Sequence, residues 1–567
     1  MCEKRTALPF THKKKWTCLN YRIKLVIEMK IEDWYAALNY SPEQLEVARR
    51  VLEEIRSGQD TSQAMRHAPL KDGGYVAKHM LVAVYRQLVK SGEWQPDPAL
   101  LSRIRMKPMR TLSGVTTVTV LTGPCACPGQ CIFCPTDERM PKSYLPDEPG
   151  AARAFQNHFD PYLQVRSRLD SYAAVGHPTD KIELLILGGT FSVYPANYQE
   201  WFIRRCFDAM NEVASTTLEE AQRTNETAPH RNVGLVIETR PDQIALRGLA
   251  GLAWLRRLGV TKVQMGAQSF DEHILEINHR GHTAADTLKA CASLRAAGFK
   301  IVLHWMPNLL GATPDSDRAD FSRMWEGYDP DEIKIYPTQL LETAELFEYW
   351  QRGEYQPYTT AELVNLIADL KTSIPEYCRV NRIIRDFSSK HVVAGNKRTS
   401  LRQDVVDELA RRGQACRCVR CREVRDEQVD SARLRLEDRV YYPAYAEEHF
   451  LTFVTPDDRI CGYLRLSLPR RSPEAGQAEA ILPDLQGAAL IREVHVFGQA
   501  LAVGAEQAGA SQHIGLGTRL LQKAEEIARQ NDYQRLAVIA AVGTRRYYEG
   551  RGFQRGDLYM LRELGKR

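Results

Sequence analysis

At 567 residues, with 44% hydrophobic and 26% charged residues, the chain is too long for one core and should form two or three domains. It has no apolar run long enough to span a bilayer, and its N-terminus lacks an apolar core followed by a small-residue cleavage site. A cytoplasmic protein with no membrane partner is therefore expected, and its 13 cysteines are then reduced thiols or metal ligands rather than a disulfide framework.

The net charge of +5 is modest but unevenly spread. Residues 1–30 carry eight Lys or Arg against Glu3 and Glu28, and have no clear period. This basic extension is expected to be disordered, or translation begins at Met29. A helical region follows over residues 31–100. Ser41, Pro42 and Gln44 form a helix start, Leu45, Ala48, Leu52 and Ile55 make one apolar stripe, and Gly58 ends it. A second helix is expected over 76–90. Arg103, Arg105, Lys107 and Arg110 form a second basic cluster.

From Val115 the pattern changes to short apolar strands separated by helical lengths. Residues 115–121, 182–187, 233–237, 263–267, 301–305 and 333–336 are the six candidates. They predict an α/β fold, a partial (βα)6 barrel over residues 101–375, with ligands at the C-terminal strand ends. The first such end carries Cys127, Cys131 and Cys134. Soft thiolates at C-x3-C-x2-C spacing suit a 4Fe-4S cluster. Three ligands leave one iron open, and S-adenosylmethionine (SAM) can chelate it. A closed zinc site, the competing reading, lacks a fourth ligand nearby. Cys125 lies close enough to compete with Cys127 as first ligand; Cys127 gives the three-residue gap. Gly188 and Gly189, after the second strand, let backbone approach a ligand closely.

A third basic run (Arg379, Arg382, Arg385, Lys390, Lys397, Arg398, Arg402) opens a linker over residues 376–435. Three such runs favour a polyanionic partner. The linker also holds Cys416, Cys418 and Cys421, a second thiolate cluster read as structural zinc, with Cys378, His391 or His449 as fourth ligand. Residues 436–567 read as a separate α/β unit. In it, Gln512-x-x-Gly515-x-Gly517 at a helix start is an anion cradle, matching the coenzyme A loop of GNAT acetyltransferases. Tyr547 and Tyr548 follow on a short helix. A Tyr hydroxyl near a thioester can protonate the departing thiolate; at most one of the pair is chemical, and Tyr548 is favoured.

The strings Arg110-Thr-Leu-Ser-Gly-Val115, Gly188-Gly-Thr-Phe191, Glu238-Thr-Arg-Pro-Asp242, Arg280-Gly-His-Thr283, Lys334-Ile-Tyr-Pro-Thr338, Arg385-Asp386, Glu493-Val-His-Val496 and Tyr547-Tyr548 closely resemble the catalytic subunit of Elongator in its stand-alone bacterial or archaeal form. The resemblance spans about residue 75 to the C-terminus. It implies a radical-SAM barrel joined to a GNAT domain, acting on tRNA. The reaction it implies installs a carboxymethyl group at C5 of the wobble uridine. A SAM-derived 5′-deoxyadenosyl radical activates the methyl of acetyl-CoA, and thioester hydrolysis follows. By the same resemblance Cys127, Cys131 and Cys134 hold the cluster, and Gly188-Gly189 meets the methionine end of SAM. Lys181, Glu493, Val494, His495, Val496, Leu516, Gly517, Thr518 and Tyr548 line the acetyl-CoA site. Lys334 and the third run (Arg382, Arg385, Lys397, Arg398 and Arg402) face the tRNA anticodon loop, and the N-terminal helical region binds tRNA as well. An electron donor must reduce the cluster, and a homodimer is left open. The eukaryotic relatives differ in a longer first cysteine gap and in lacking the Cys416 cluster.

Two other functions compete. One is protein lysine acetylation, with Glu493 as the base and the iron–sulfur domain as scaffold. The other is a tRNA-binding module that only senses acetyl-CoA.

Overall fold

Four helices, Pro42–Arg56, Thr61–Arg66, Lys78–Lys90 and Pro98–Ile104, begin the part of the chain that a computed structural model describes: residues 40–71, 74–107, 111, 113–425, 429–469, 482–497 and 515–565. The basic extension, the Met29 start and Gln512 of the glycine-rich loop lie outside the described residues. The helices share a small core. Val47, Ala48, Val51, Leu52 and Ile55 recur at helical spacing and bury one stripe against Leu81, Val82, Tyr85 and Leu88. Each fully buried Val, Leu or Ile among them contributes about 1.5–3 kcal/mol. Asp60 and Asp97 cap the second and fourth helices by accepting from Gln63 N and Leu100 N.

Seven parallel strands follow: β1 (Thr116–Leu121), β2 (Lys181–Leu187), β3 (Arg231–Thr239), β4 (Lys262–Gln268), β5 (Lys300–Trp305), β6 (Glu332–Ile335) and β7 (Arg379–Ile383). They pair in sequence order, each parallel to the next, and β7 does not pair with β1. This is an open half-barrel wrapped by its crossover helices. The six expected strands are present; β7 is an addition, hidden inside the third basic run. Arg379-Val-Asn-Arg-Ile383 buries only Val380 and Ile383, so it reads as solvated surface until β6 pairs with it.

The second sheet comprises β8 (Arg435–Tyr441), β9 (Ala446–Val454), β10 (Ile460–Pro469), β11 (Ala488–Val496), β12 (Arg535–Val538), β13 (Gln554–Arg555) and β14 (Met560–Glu563), in the order β13-β14-β12-β11-β10-β9-β8. β11 and β12 are parallel neighbours only over Ala488–Ile491. Beyond that β11 continues without β12 through Val496, so the sheet splays. Arg545–Glu549 forms a short helix beyond β12. One apolar core runs from the half-barrel into this sheet without interruption, and Tyr559 Oη donates across the junction to Ala297 O at 2.6 Å.

Candidate functional site

A cavity of about 290 Å³ lies at the C-terminal strand ends, lined by Cys127, Cys131 and Cys134 but not by Cys125. The loop after β1 turns tightly there. Gly129 N donates to Cys127 Sγ at 3.4 Å, and Cys134 N to Cys131 O at 3.2 Å. Burial pushes the Cys134 thiol up to about 11. Arg280 Nη1 donates to Cys131 Sγ at 3.4 Å. Arg280 Nε and Arg240 Nη1 are buried without a partner, and a Cβ on Gly129 would stand 2.2 Å from Arg240 Nη1. Unpaired buried guanidinium donors beside three thiols fit an anionic, thiolate-held cluster. Gly188 (φ +137°) closes the loop against β2; a Cβ there would stand 1.8 Å from Thr122 Oγ1, so no other residue fits. Gly189 is close to Lys142 O in the same way and lines the cavity.

A polar column descends from this mouth into the barrel. Tyr144 Oη donates to Glu238 Oε2 (2.6 Å), and His304 Nδ1 is 3.6 Å from Glu238 Oε1. Gln264 Oε1 is shared by His304 Nε2 (3.1 Å) and Lys334 Nζ (2.5 Å). Burial, with Lys334 and Arg385 nearby, drives the His304 pKa well down, so its imidazole is neutral. Below lies a layer of paired charges at the N-terminal strand ends. Lys262 Nζ meets Glu183 (2.8 Å) and Glu332 (3.2 Å), and Lys300 Nζ meets Glu493 (2.5 Å) and Glu332 (3.7 Å).

Glu493 belongs to β11, so this layer joins the two sheets. Between them opens a second cavity of about 660 Å³, lined by Glu493, Val494, His495 and Tyr548 among others. Tyr463 Oη (2.8 Å) and Arg465 Nε (3.1 Å) also donate to Glu493. Burial alone would raise this carboxyl, but Lys300, Arg465 and Lys262 overrule it and hold it well below the carboxylate range. Burial lowers His495 to about 4 and raises the Tyr548 phenol, so both are neutral near pH 7. Gly515 (φ +67°) opens the helix Leu516–Gln530, whose first-turn amides have no partner within the helix. Gly517 is pressed against the Tyr547 hydroxyl: a Cβ would lie 2.8 Å from it and 3.9 Å from Val496 Cγ2. Thr518 Oγ1 accepts from Arg551.

Other expected site residues scatter. Lys181 opens β2, half-buried with its pKa lowered by burial, and lines neither cavity. Of the third basic run, Arg382 and Arg385 line the upper cavity with Lys334. Arg385 is stacked over Tyr144 and Phe387 and held by Ser143. Lys397 and Arg398 are exposed, and Arg402 turns inward to donate to Val380 O. The run is thus not one face: its first part is β7 and its last part a helix, which point the cations in different directions. The lower charge layer was missed by sequence reasoning. Its signal was Glu183 inside β2 and Lys262, Lys300 and Glu332 opening the apolar strands β4, β5 and β6.

Cys416, Cys418 and Cys421 have sulfurs within 4.8 Å of one another. Hydrogen bonds from Cys416 and Cys421 pull the Cys418 thiol far down. None of the expected fourth ligands joins them. His391 pairs with Asp147 (2.8 Å), and His449 with Asp438 and Glu447, because their strands and turns lie elsewhere. Cys378 lies close in the fold, its carbonyl accepting from Val419 N, but outside the sulfur triplet.

A half-barrel with a cysteine triad at its strand ends, continued by a splayed mixed sheet, defines a radical-SAM enzyme carrying an acyltransferase domain. The chain matches the Radical SAM superfamily over residues 124–321, the Radical_SAM C-terminal domain over 330–411 and the Acetyltransferase (GNAT) family over 419–553. It is 41% identical over 465 residues to the tRNA uridine(34) acetyltransferase of Dehalococcoides mccartyi, covering 80% of this chain and 99% of that protein. It is 33% identical to Elongator complex protein 3 of Homo sapiens, covering 82% and 87%. The structure of an archaeal Methanocaldococcus infernus Elp3 with an N-terminal deletion superposes with a TM-score of 0.69 at 35% identity, covering 80% of this chain and 99% of that one. The chain therefore belongs to the Elongator protein 3 family of tRNA uridine(34) acetyltransferases. Among the described residues no helix is long and apolar enough to cross a membrane.

Proposed function

We propose that this enzyme forms the carboxymethyl group at C5 of the wobble uridine of tRNA from acetyl-CoA, in the cytoplasm. The observation that carries the reading is one continuous core with two cavities: a thiol triad above the half-barrel and the splay of the GNAT sheet below it. The names of the relatives in bacteria and archaea support tRNA uridine 34 as the target. Cys127, Cys131 and Cys134 would hold a 4Fe-4S cluster, with Gly188 and Gly189 leaving room for SAM beside it. Reduced by an external electron donor, the cluster and SAM would supply radical chemistry able to take hydrogen from the acetyl methyl.

The remaining work falls to the chain itself. First-turn amides of Leu516, Gly517 and Thr518 cradle the pyrophosphate of acetyl-CoA, with Glu493 to Val496 along its arm. The neutral Tyr548 phenol protonates the thiolate leaving during thioester hydrolysis, with Tyr547 beside it packing Gly517. Lys334, Arg382 and Arg385 hold the splayed base and its phosphates in the upper cavity, and Lys397, Arg398 and the helices before residue 100 extend the tRNA surface. Cys416, Cys418 and Cys421 hold zinc within the linker of residues 376–435, between a barrel domain (101–375) and a GNAT domain (436–567); three close sulfurs with one drawn toward thiolate suit that ion.

Lysine acetylation by Glu493 is disfavoured. A general base needs a pKa near the working pH and a free lone pair, whereas three donors occupy this carboxylate and hold it ionised. The test is anaerobic cluster reconstitution with dithionite, SAM, acetyl-CoA and tRNA, then nucleoside mass spectrometry. Carboxymethyluridine is expected; its absence, with acetyl-lysine formed on a protein substrate, would overturn the reading.

A further inference from the structure

The two cavities abut inside the barrel. Along β2, Glu183, Leu185 and Leu187 share the inward face. Glu183 lines only the lower cavity, Leu187 only the upper, and Leu185 both. Lys334 on β6 also lines both, its ammonium reaching across to Gln264. From Glu183 to Leu187 is four residues, about 13 Å along the strand. Reacting atoms must approach to about 3–3.5 Å. A thioester confined to the level of Glu493 therefore cannot meet a group formed among the cysteines.

We infer that the barrel lumen is the passage for the acyl end of the thioester, and that the layer of Leu185, Gln264 and Lys334 is its threshold. This rests on the function proposed above. The lower cavity suits an uncharged, extended arm, because its ions already satisfy one another: Glu183, Lys262, Glu332, Lys300 and Glu493 form one alternating chain. At the threshold Leu185 offers an apolar wall and Lys334 a donor for the thioester carbonyl. Past it, the acetyl methyl enters the upper cavity toward the level of Leu187 and the glycine edge, within reach of the cysteine loop. There one hydrogen atom can pass from the acetyl methyl to the 5′ carbon derived from SAM, the electron for SAM cleavage coming from the reduced cluster.

Two readouts test the threshold. In the first, the protein without cluster is titrated calorimetrically with CoA, S-ethyl-CoA and S-hexyl-CoA. Leu185→Trp should leave CoA affinity unchanged and weaken S-hexyl-CoA roughly a hundredfold, each buried methylene being worth about fourfold; Leu185→Ala should bind S-hexyl-CoA at least as well as wild type. In the second, the reconstituted protein with dithionite, SAM, tRNA and methyl-deuterated acetyl-CoA is followed for deuterium in 5′-deoxyadenosine. Leu185→Trp should cleave SAM but lose the label, while Leu185→Ala should keep it. The inference falls if Leu185→Trp accepts S-hexyl-CoA and transfers label like wild type. It falls equally if Leu185→Ala loses CoA binding or label transfer, since Leu185 would then be holding the fold rather than guarding a route. Wild type that transfers no label would sink the proposed function instead, and the thioether series would still read the passage.

Discussion

Arg492→Met removes one of the cations that tie the second sheet to the half-barrel. Arg492 is buried on β11, with Nη1 2.7 Å from Asp331 Oδ2 and Nη2 2.6 Å from Asp331 Oδ1. Its Nη2 is also 2.8 Å from Glu448 Oε2, and Nη1 donates to Phe299 O at 3.1 Å. Asp331 sits at the entry to β6 and Phe299 just before β5, so one guanidinium spans both domains. Methionine fills the volume but strands two buried carboxylates. The substitutes are longer: Arg465 at 3.4 Å from Asp331 and Arg295 at 3.8 Å from Glu448. Breaking a buried pair from one side costs about 3–5 kcal/mol, a large part of a total near 5–15 kcal/mol. The pH dependence follows from Asp331. Burial would raise its carboxyl, but Arg492 and Arg465 hold it far down. Its contribution is complete above the unfolded value of about 3.9 and is lost as pH falls through and below it. Without Arg492 the folded pKa rises; once it stands above the unfolded value the folded state binds the proton preferentially, so the variant's deficit relative to wild type should be largest near neutral pH and shrink toward pH 5. Urea unfolding followed by tryptophan fluorescence, near neutral pH and near pH 5, measures both effects. Adding Asp331→Asn should recover part of the loss by removing the stranded charge. A loss below about 1 kcal/mol, or an unchanged pH dependence, would refute the reasoning.

Cys131→Ala should abolish iron incorporation and SAM cleavage while tRNA affinity by filter binding stays near wild type; collapse of tRNA binding would make the loop structural. Tyr548→Phe should slow thiol release from acetyl-CoA by about 10²–10⁴-fold, with unchanged affinity for CoA. Cys418→Ser should remove bound zinc, measured by elemental analysis, and lower the melting temperature without changing cluster content.

That Cys127, Cys131, Cys134 and Gly189 share one cavity was legible because it depends on local spacing. C-x3-C-x2-C, the glycine pair after β2 and the Gly515–Gly517 turn each pack their chemistry into a few residues, and backbone sterics allow few other conformations there. The strand β7 was not legible, since Arg379, Asn381 and Arg382 mask an alternation that only pairing with β6 reveals. Nor were the partners of the histidines: His391 and His449 suited a metal site by residue type, but their pairing with Asp147, Asp438 and Glu447 depends on which loops meet.

The amino-acid order by itself pointed to the class of chemistry: three cysteines at cluster spacing, a glycine-rich turn of the coenzyme A type and basic runs suited to a nucleic acid partner. Only the tertiary structure decided how these are arranged. It puts the cysteines and the GNAT strand at opposite ends of one lumen, occupies Glu493 with Lys300, Tyr463 and Arg465, and divides a continuous basic run between cavity, surface and interior. The physical reason is range. Turn and ligand geometry act over a few residues, whereas the pairing of Lys300 with Glu493, 193 positions apart, exists only once two sheets have packed.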